Sequence, residues 1–190
     1  MRMPRLLVTP ALLATVAAAP ATRPTRPFNS DEYGFRLKVP ADWIVPEHPD
    51  DGQVFTVWMP LPKPATDGPA TRPAGPFRVG GVGVRIEQGP PGQPDRQVLR
   101  DLTDAMAADL FADDKLAAKH VAMRPATVGD LPARQVRFAV DQAGRPVVVL
   151  YVVAVRKGVE YVFNAAAPAD QFDALLPDVL AMLASFDVRE

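Results

Sequence analysis

The sequence predicts an α+β domain in which helices flank an antiparallel β-sheet. Stretches in which apolar and polar residues alternate, the pattern of half-buried strands, recur along most of the chain. Several are joined by very short turns, which connect neighbouring antiparallel strands because a parallel crossover needs a dozen or more residues. One internal and one terminal stretch instead carry apolar residues three or four positions apart, as amphipathic helices do. Strands with these two helices give a sheet covered by helices.

Length and composition are those of one globular domain without a nucleic-acid-binding surface. The chain has 190 residues, 48% of them hydrophobic and 23% charged, so it is not disordered as a whole. Its formal net charge is -1, whereas a phosphate-binding domain carries clustered Lys and Arg. The chain contains no cysteine, which excludes disulfides, thiol catalysis, thiolate metal sites and a lipidated cysteine anchor.

The amino-terminal segment has the pattern of an export signal. Arg2 and Arg5 supply the positive charge, Leu6–Ala19 is a short apolar stretch, and small residues follow it. The stretch is too short to span a membrane comfortably, which takes about 20 apolar residues. We expect residues 1–21 to be a signal peptide cleaved after Ala21. The mature chain would then be secreted or periplasmic, with no stable membrane anchor.

Proline marks two segments that we expect to lie outside the regular structure. The 22 prolines are more than twice the average usage of ~5%, and they cluster. Residues 22–28 are predicted as a proline-rich linker and residues 59–78 as a proline-rich loop, because neither has apolar periodicity and proline favours extended, solvated chain. A single domain then spans residues 29–190.

Three strands are predicted before the first helix. The first is Tyr33–Val39, in which aromatic and aliphatic residues alternate with polar ones. The second is Val54–Met59 and the third is Val79–Glu87. Gly80–Gly83 resembles a phosphate-binding loop only superficially. It lies inside the third strand pattern and lacks both a following helix and a Gly-Lys-Ser/Thr ending.

The first helix is predicted to begin at Asp95, whose side chain we expect to cap the amides of the first turn. Its apolar residues share one face, through which the helix should pack on the sheet, while charged residues occupy the other side. The apolar stripe consists of Leu99, Leu102, Met106 and Leu110, and the charged side of Arg96, Arg100, Asp104 and Asp109.

Four further strands and a terminal helix complete the predicted domain. The strands are Lys119–Ala126, Ala133–Val140, Pro146–Arg156 and Tyr161–Ala166. The helix follows Asp170, which is predicted as its N-cap, and keeps the helical spacing through Leu183. Pro177 lies within that pattern and is expected to kink the helix or to start a second one.

Several short signatures, taken in order, resemble the PsbP-like superfamily over residues 28–190. That superfamily also contains the Ran-binding Mog protein and many exported bacterial domains of unknown function. The signatures are Tyr33–Pro40 with Trp43 shortly after, the Gly129–Ala133 turn after a helix, a hairpin entering Tyr161–Phe163, and the terminal Met182–Phe186.

The resemblance implies an α/β/α sandwich around an antiparallel sheet. In it, the opening aromatic residues, Trp43 and Phe186 would lie in the core, and Leu131 with Pro132 would form a tight turn. Known members use this fold to bind other proteins or to help assemble them, and no active site comes with the signatures. The proline-rich loop has the character of an insertion relative to that pattern.

Residues that usually carry catalysis are few and form no recognisable motif. The serines are Ser30 and Ser185, and neither lies in a Gly-x-Ser-x-Gly elbow. The histidines are His48 and His120, of which the second falls in a predicted strand and is interpreted as structural or exposed. We therefore predict no enzyme, and we assign no catalytic, cofactor-binding or metal residue and no cofactor.

One local cluster of metal-binding residue types leaves two interpretations open. Glu47–Asp51 contains an imidazole and three carboxylates, which could hold a divalent cation. The spacing matches no metal motif, and Asp-Asp-Gly is also a common turn. A solvated loop is the interpretation that we favour.

Two functional hypotheses follow. The first is an exported, non-catalytic interaction or accessory domain at the cell envelope, whose partner is another envelope or secreted protein rather than nucleic acid. The alternative is a small-ligand carrier with a pocket between sheet and helices. An open cavity beside an exposed Trp58 or Phe77 would favour the carrier, and a filled core would count against it.

Overall fold

The computed structural model describes residues 23–49, 52–59, 80–112, 118–142 and 144–189. The signal peptide predicted at residues 1–21 lies outside these ranges, as does all of the predicted proline-rich loop except Met59. Asp50 and Asp51 of the candidate metal loop also fall outside them. Neither of the two helices that the structure describes is long and apolar enough to cross a membrane.

The described ranges contain nine strands and two helices. In chain order they are β1 (Thr25–Ser30), β2 (Phe35–Pro40), β3 (Phe55–Trp58), β4 (Gly81–Gln88), α1 (Asp95–Ala112), β5 (Lys119–Val128), β6 (Leu131–Gln142), β7 (Arg145–Arg156), β8 (Val159–Pro168), α2 (Ala169–Ala184) and β9 (Asp187–Val188). The α+β class predicted from the sequence is therefore confirmed.

The strands form two antiparallel sheets. A six-stranded sheet has the order β3-β4-β8-β7-β6-β5, and a three-stranded sheet has the order β1-β2-β9. The connections from β5 to β6, from β6 to β7 and from β7 to β8 are tight hairpins. The one between β7 and β8 has positive φ at both Lys157 and Gly158, as the twist of a two-residue hairpin requires. The small sheet unites the two ends of the described chain.

Alternation along the strands gives the large sheet two apolar faces, each with its own cover. Helix α1 packs on one face, where Val98 and Leu99 meet Val153, Val155 and Val162. Helix α2 and the small sheet pack on the opposite face and bury the larger core. That core includes Phe35, Leu37, Trp43, Phe55, Phe163, Phe172, Leu175 and Phe186. The layers are helix, sheet, and helix with a small sheet.

The predicted linker at residues 22–28 is wrong in its second half, because β1 begins at Thr25. Strand β1 pairs along its whole length with β2, from Thr25 opposite Pro40 to Ser30 opposite Phe35. Proline lacks a backbone donor, but an edge strand needs donors on one side only. Pro27 is accommodated for that reason, and the ordered domain starts earlier than predicted.

The caps predicted for both helices are also wrong. The Asp95 carboxylate accepts hydrogen bonds from the backbone amides of Lys157 and Gly158 at 2.8 and 2.9 Å, so it joins the start of α1 to the β7–β8 hairpin. The N-cap of α2 is Pro168, with no side-chain cap, and Asp170 lies in the first turn. The helix runs through Pro177 without a second start.

Candidate functional site

A cleft of about 740 Å³ opens between α1 and the end of the large sheet that carries β5 and β6. One wall is the first half of α1, the other is the edge strand β5 with its neighbour β6, and Val155 of β7 lies between them. The lining residues are Asp95, Arg96, Leu99, Arg100, Asp104, Pro125, Pro132, Arg134 and Val155. The volume is within the usual range for ligand sites, although the cleft is open to solvent.

The floor of the cleft is apolar. Leu99 and Val155 are almost completely buried and belong to the cluster that joins α1 to β7 and β8. Pro125 and Pro132 flank this floor and are exposed. The two proline rings therefore offer apolar surface to a ligand without any rearrangement of the core.

Charged groups surround the floor, and the two acids are already engaged. Arg134 donates to the Asp104 carboxylate at 2.9 Å, and both Asp95 oxygens accept the hairpin amides. Arg96 and Arg100 are exposed, and within the described ranges neither guanidinium has an ion-pair partner. The cleft thus presents two free cations above an apolar surface.

The lining of the cleft has residue types that suit the binding of an anionic group. None of the nine residues that line the cleft is Ser, Thr, Cys, Tyr or His. The two carboxylates of the lining, Asp95 and Asp104, already accept hydrogen bonds from the hairpin amides and from Arg134. The guanidiniums can hold an anionic group, with the planar geometry that matches a carboxylate.

A nearly buried acid on the same face of the sheet lies beside the start of α1. Glu160 is 6% exposed, and a Cβ at Gly89 would lie 3.0 Å from its Oε1. Burial raises the pKa of the Glu160 carboxyl above its ordinary value; the like charge of Glu87 raises this pKa further, and the positive charge of Arg85 lowers it. Glu87 pairs with Arg85 at 2.9 Å.

Each serine that the sequence offers has a structural role. The Ser185 hydroxyl accepts from the Lys38 amide and donates to the Met182 carbonyl, both at 2.8 Å, at the end of α2. The Ser30 hydroxyl accepts a weak hydrogen bond from the Tyr33 amide at 3.4 Å. Neither serine lies in the cleft.

The structure describes only part of the Glu47–Asp51 cluster. Glu47 and His48 are exposed in the loop after Trp43, while the remaining acids of that loop lie outside the described ranges. Within those ranges no group of three or more His, Asp or Glu side chains could hold a metal ion. The solvated-loop interpretation and the metal interpretation of Glu47–Asp51 both stay predictions.

The glycine-rich segment is part of a strand, as the sequence analysis indicated. Gly81 and Gly83 belong to β4, with no helix directly after it. Trp58 packs against Gly81, where a Cβ would collide with the indole ring, and Trp58 is half-buried. Phe77 lies outside the described ranges. A carrier is expected to have an open cavity beside an exposed Trp58. Trp58 is instead half-buried against Gly81, so it gives the carrier hypothesis no support.

Comparison with known proteins finds likeness in structure but not in sequence. No family profile and no curated protein match the sequence significantly. Cyanobacterial PsbP (CyanoP) from Synechocystis sp. PCC 6803 superposes with a TM-score of 0.57 at 14% identity, covering 90% of this chain and 96% of that one. LpqN of Mycobacterium tuberculosis, which is involved in cell envelope biogenesis, gives a TM-score of 0.54 at 18% identity, covering 88% and 91%.

The chain has a PsbP-like fold. A protein of unknown function from Pseudomonas aeruginosa, described as a putative regulator, shares it with a TM-score of 0.52 at 11% identity, over 87% of this chain and 98% of that one. Identities this low show the fold alone. The fold class and the resemblance inferred from the sequence are both confirmed.

The PsbP-like signatures mark packing positions, with two differences from expectation. Phe35, Trp43 and Phe186 are buried as expected, but Tyr33 is 40% exposed, because it precedes β2 rather than belonging to it. The tight turn lies at Gly129 and Asp130, so Leu131 and Pro132 are already in β6.

Sequence reasoning missed the residues of the cleft. The apolar spacing of α1 places Arg96 and Arg100 on its charged side, where charged residues need no further explanation. The signal that was present is their spacing of four positions, which places two like charges on one helix face. No sequence feature showed that Pro125 of β5 and Arg134 of β6 would lie opposite these two arginines.

Proposed function

We propose that this chain is an exported, non-catalytic interaction or accessory domain that acts at the cell envelope. The observation that carries the proposal is the cleft beside α1, whose described lining offers apolar surface and two guanidiniums without an ion-pair partner, and contains no Ser, Thr, Cys, Tyr or His. The export pattern of residues 1–21 supports an envelope location.

The PsbP-like fold adds support of a general kind. LpqN, which has this fold, is involved in cell envelope biogenesis. A fold alone does not define a function, because function depends on sites carried by the fold. The comparison therefore supports the class of the proposal, and the cleft supports its mechanism of binding.

The experiment is chemical crosslinking and affinity capture from an envelope extract, with the full chain as bait. We expect one or a few proteins to be enriched relative to a control in which an unrelated protein with the same tag is the bait. The bait is also released under denaturing conditions and analysed for bound small molecules by mass spectrometry. A small ligand with no protein partner would favour a carrier, and turnover of a substrate with no partner would overturn the proposal.

A further inference from the structure

We infer that the cleft between α1 and β5–β6 is a docking site for an acidic, partly apolar segment of another protein, held by Arg96 and Arg100. This inference rests on the proposed interaction function, which it deepens by naming the surface and the chemistry of the partner. The cleft is defined by the nine lining residues given above.

Charge is the first argument for an acidic occupant. Of the three arginines in the cleft, Arg134 is paired with Asp104, and Asp95 is held by the amides of the β7–β8 hairpin. Arg96 and Arg100 keep full donor capacity within the part of the chain that the structure describes. A guanidinium binds a carboxylate in a bidentate geometry, which gives orientation as well as attraction.

The apolar floor is the second argument, because an occupant that matches it must carry apolar groups as well as negative charge. Leu99 and Val155 form the base, and Pro125 and Pro132 extend it toward the solvent. A segment that alternates acidic and aliphatic residues would place its carboxylates on the arginines and its aliphatic groups on this floor. Burying apolar surface contributes roughly 25 cal/mol per Å², so both parts of the segment would contribute.

The edge strand argues for binding through side chains rather than for addition of a strand. β5 is the edge of the large sheet, and an exposed edge can pair with an extended peptide. Pro125, however, removes a backbone donor in the middle of β5, and the register is irregular between Lys119 and Ala122. Both features weaken edge pairing, so the cleft itself is the more suitable surface.

Neighbouring acids favour a narrow protein segment over an extended polyanion. Asp101, Asp104 and Asp109 are exposed on α1 near the arginines. A membrane surface or a nucleic acid would bring many negative charges against these carboxylates, and like charges repel. A single acidic segment can lie along the cleft, where Asp104 is already paired with Arg134, and avoid Asp101 and Asp109.

The probe is a short fluorescein-labelled peptide in which glutamates alternate with leucine and serine. Its binding to the full chain is followed by fluorescence anisotropy at low and at physiological salt. We expect saturable binding that weakens with salt, since exposed charges are screened. The same peptide with lysine in place of glutamate should not bind.

The decisive variants are Arg96→Gln with Arg100→Gln, compared with Arg124→Gln and Arg145→Gln. All four arginines are exposed, and each double variant loses two positive charges. The second pair is the control because it lies outside the cleft. We expect the first pair to raise Kd by about tenfold, the effect of losing ~1.4 kcal/mol, and the second to leave it nearly unchanged. Thermal melts check that both variants are folded.

Three outcomes would overturn the inference. They are absence of peptide binding, an equal loss in both double variants, and arginine-dependent binding to phosphatidylglycerol vesicles that exceeds binding to the peptide. The captured partner separates this inference from the proposed function. If the Arg96→Gln, Arg100→Gln chain captures the same partner equally well, the docking site is wrong and the interaction function stands.

Discussion

At the scale of single residues, Gly129 shows why one of the PsbP-like signatures needs its glycine. It lies in the turn between β5 and β6 with φ of +53°, a conformation that residues with a Cβ adopt only at a cost. Its amide donates to the Leu183 carbonyl at 2.7 Å, and a Cβ would collide with the Phe186 carbonyl oxygen. The turn is thus packed directly against the end of α2.

Gly129→Ala should destabilise the protein by about 3 kcal/mol or more, because it adds backbone strain and a collision with backbone atoms that cannot rotate away. Gly144→Ala is the matched control. Gly144 has φ of +79° and nothing within 4 Å of the added Cβ, so strain alone should cost about 1 kcal/mol. Urea unfolding measures both, and equal losses would contradict the packing argument.

Glu160 is a residue whose charge opposes folding. Burial raises the pKa of its carboxyl above the ordinary value of 4.5. Between that value and the raised native pKa, the folded chain binds more protons than the unfolded chain. The contribution of Glu160 to the free energy of unfolding is therefore fully present below about pH 4.5. It is lost as the pH rises through the native pKa.

Glu160→Gln should make the protein more stable at neutral pH, with a difference that closes as pH falls below the ordinary glutamate pKa. Glu47→Gln is the control, because Glu47 is exposed in the loop after Trp43 and is not among the charges that act on Glu160. Free energies of unfolding at several pH values test this. A Glu160→Gln variant that is less stable at pH 7 would show that the carboxylate has a stabilising partner.

At the scale of secondary-structure elements, Asp95 couples α1 to the sheet. The helix packs on β6 and β7 through its apolar face, but its first turn is fixed by the Asp95 carboxylate on the Lys157 and Gly158 amides. The same contact holds one wall of the cleft at a defined distance from the hairpin. Rigid supporting elements are what a binding surface requires.

Asp95→Ala should destabilise the protein by about 1–3 kcal/mol, because two hydrogen bonds to a charged acceptor are lost and two hairpin amides lose their partner. Asp101→Ala, on the same helix, removes an exposed carboxylate that, among the described residues, accepts from the Gln97 side chain alone, and it should change stability by less than about 0.5 kcal/mol. Hydrogen exchange at the Lys157 and Gly158 amides gives a local measurement. Unchanged protection there would contradict the assigned role.

Periodicity predicted the elements well and their ends poorly. Both helices and the strands from β2 to β8 follow from local apolar spacing, which depends on residues close in sequence. β1 was not predicted, because Pro27 and an exposed pattern conceal a strand that depends on pairing with β2. Asp95 could not be placed on the β7–β8 hairpin, and the cleft could not be seen, because both depend on residues far apart in the chain.

At the scale of the whole molecule, the small sheet ties the two ends of the described chain together. β1 and β9 both pair with β2, and the Arg189 amide donates to the Gly34 carbonyl at 2.7 Å. Arg189 also pairs with Asp31 at 2.7 Å. Phe28 of β1 reaches the core, where its ring lies 4.3 Å from that of Phe55. The amino-terminal strand is therefore part of the domain rather than a spacer.

Two truncations test this boundary together with the predicted signal peptide. A chain that starts at Thr22 keeps β1 and should unfold at the same urea concentration as the full chain. A chain that starts at Asp31 loses the β1–β2 ladder and Phe28, and should be destabilised by about 3 kcal/mol or more, since ladder hydrogen bonds and a partly buried aromatic ring are removed together. The free energy of unfolding of Phe28→Ala in the longer chain should lie between those of the two truncated chains, because the ladder remains and only the ring is lost. Equal stability of the two truncated chains would mean that residues 22–30 do act as a linker.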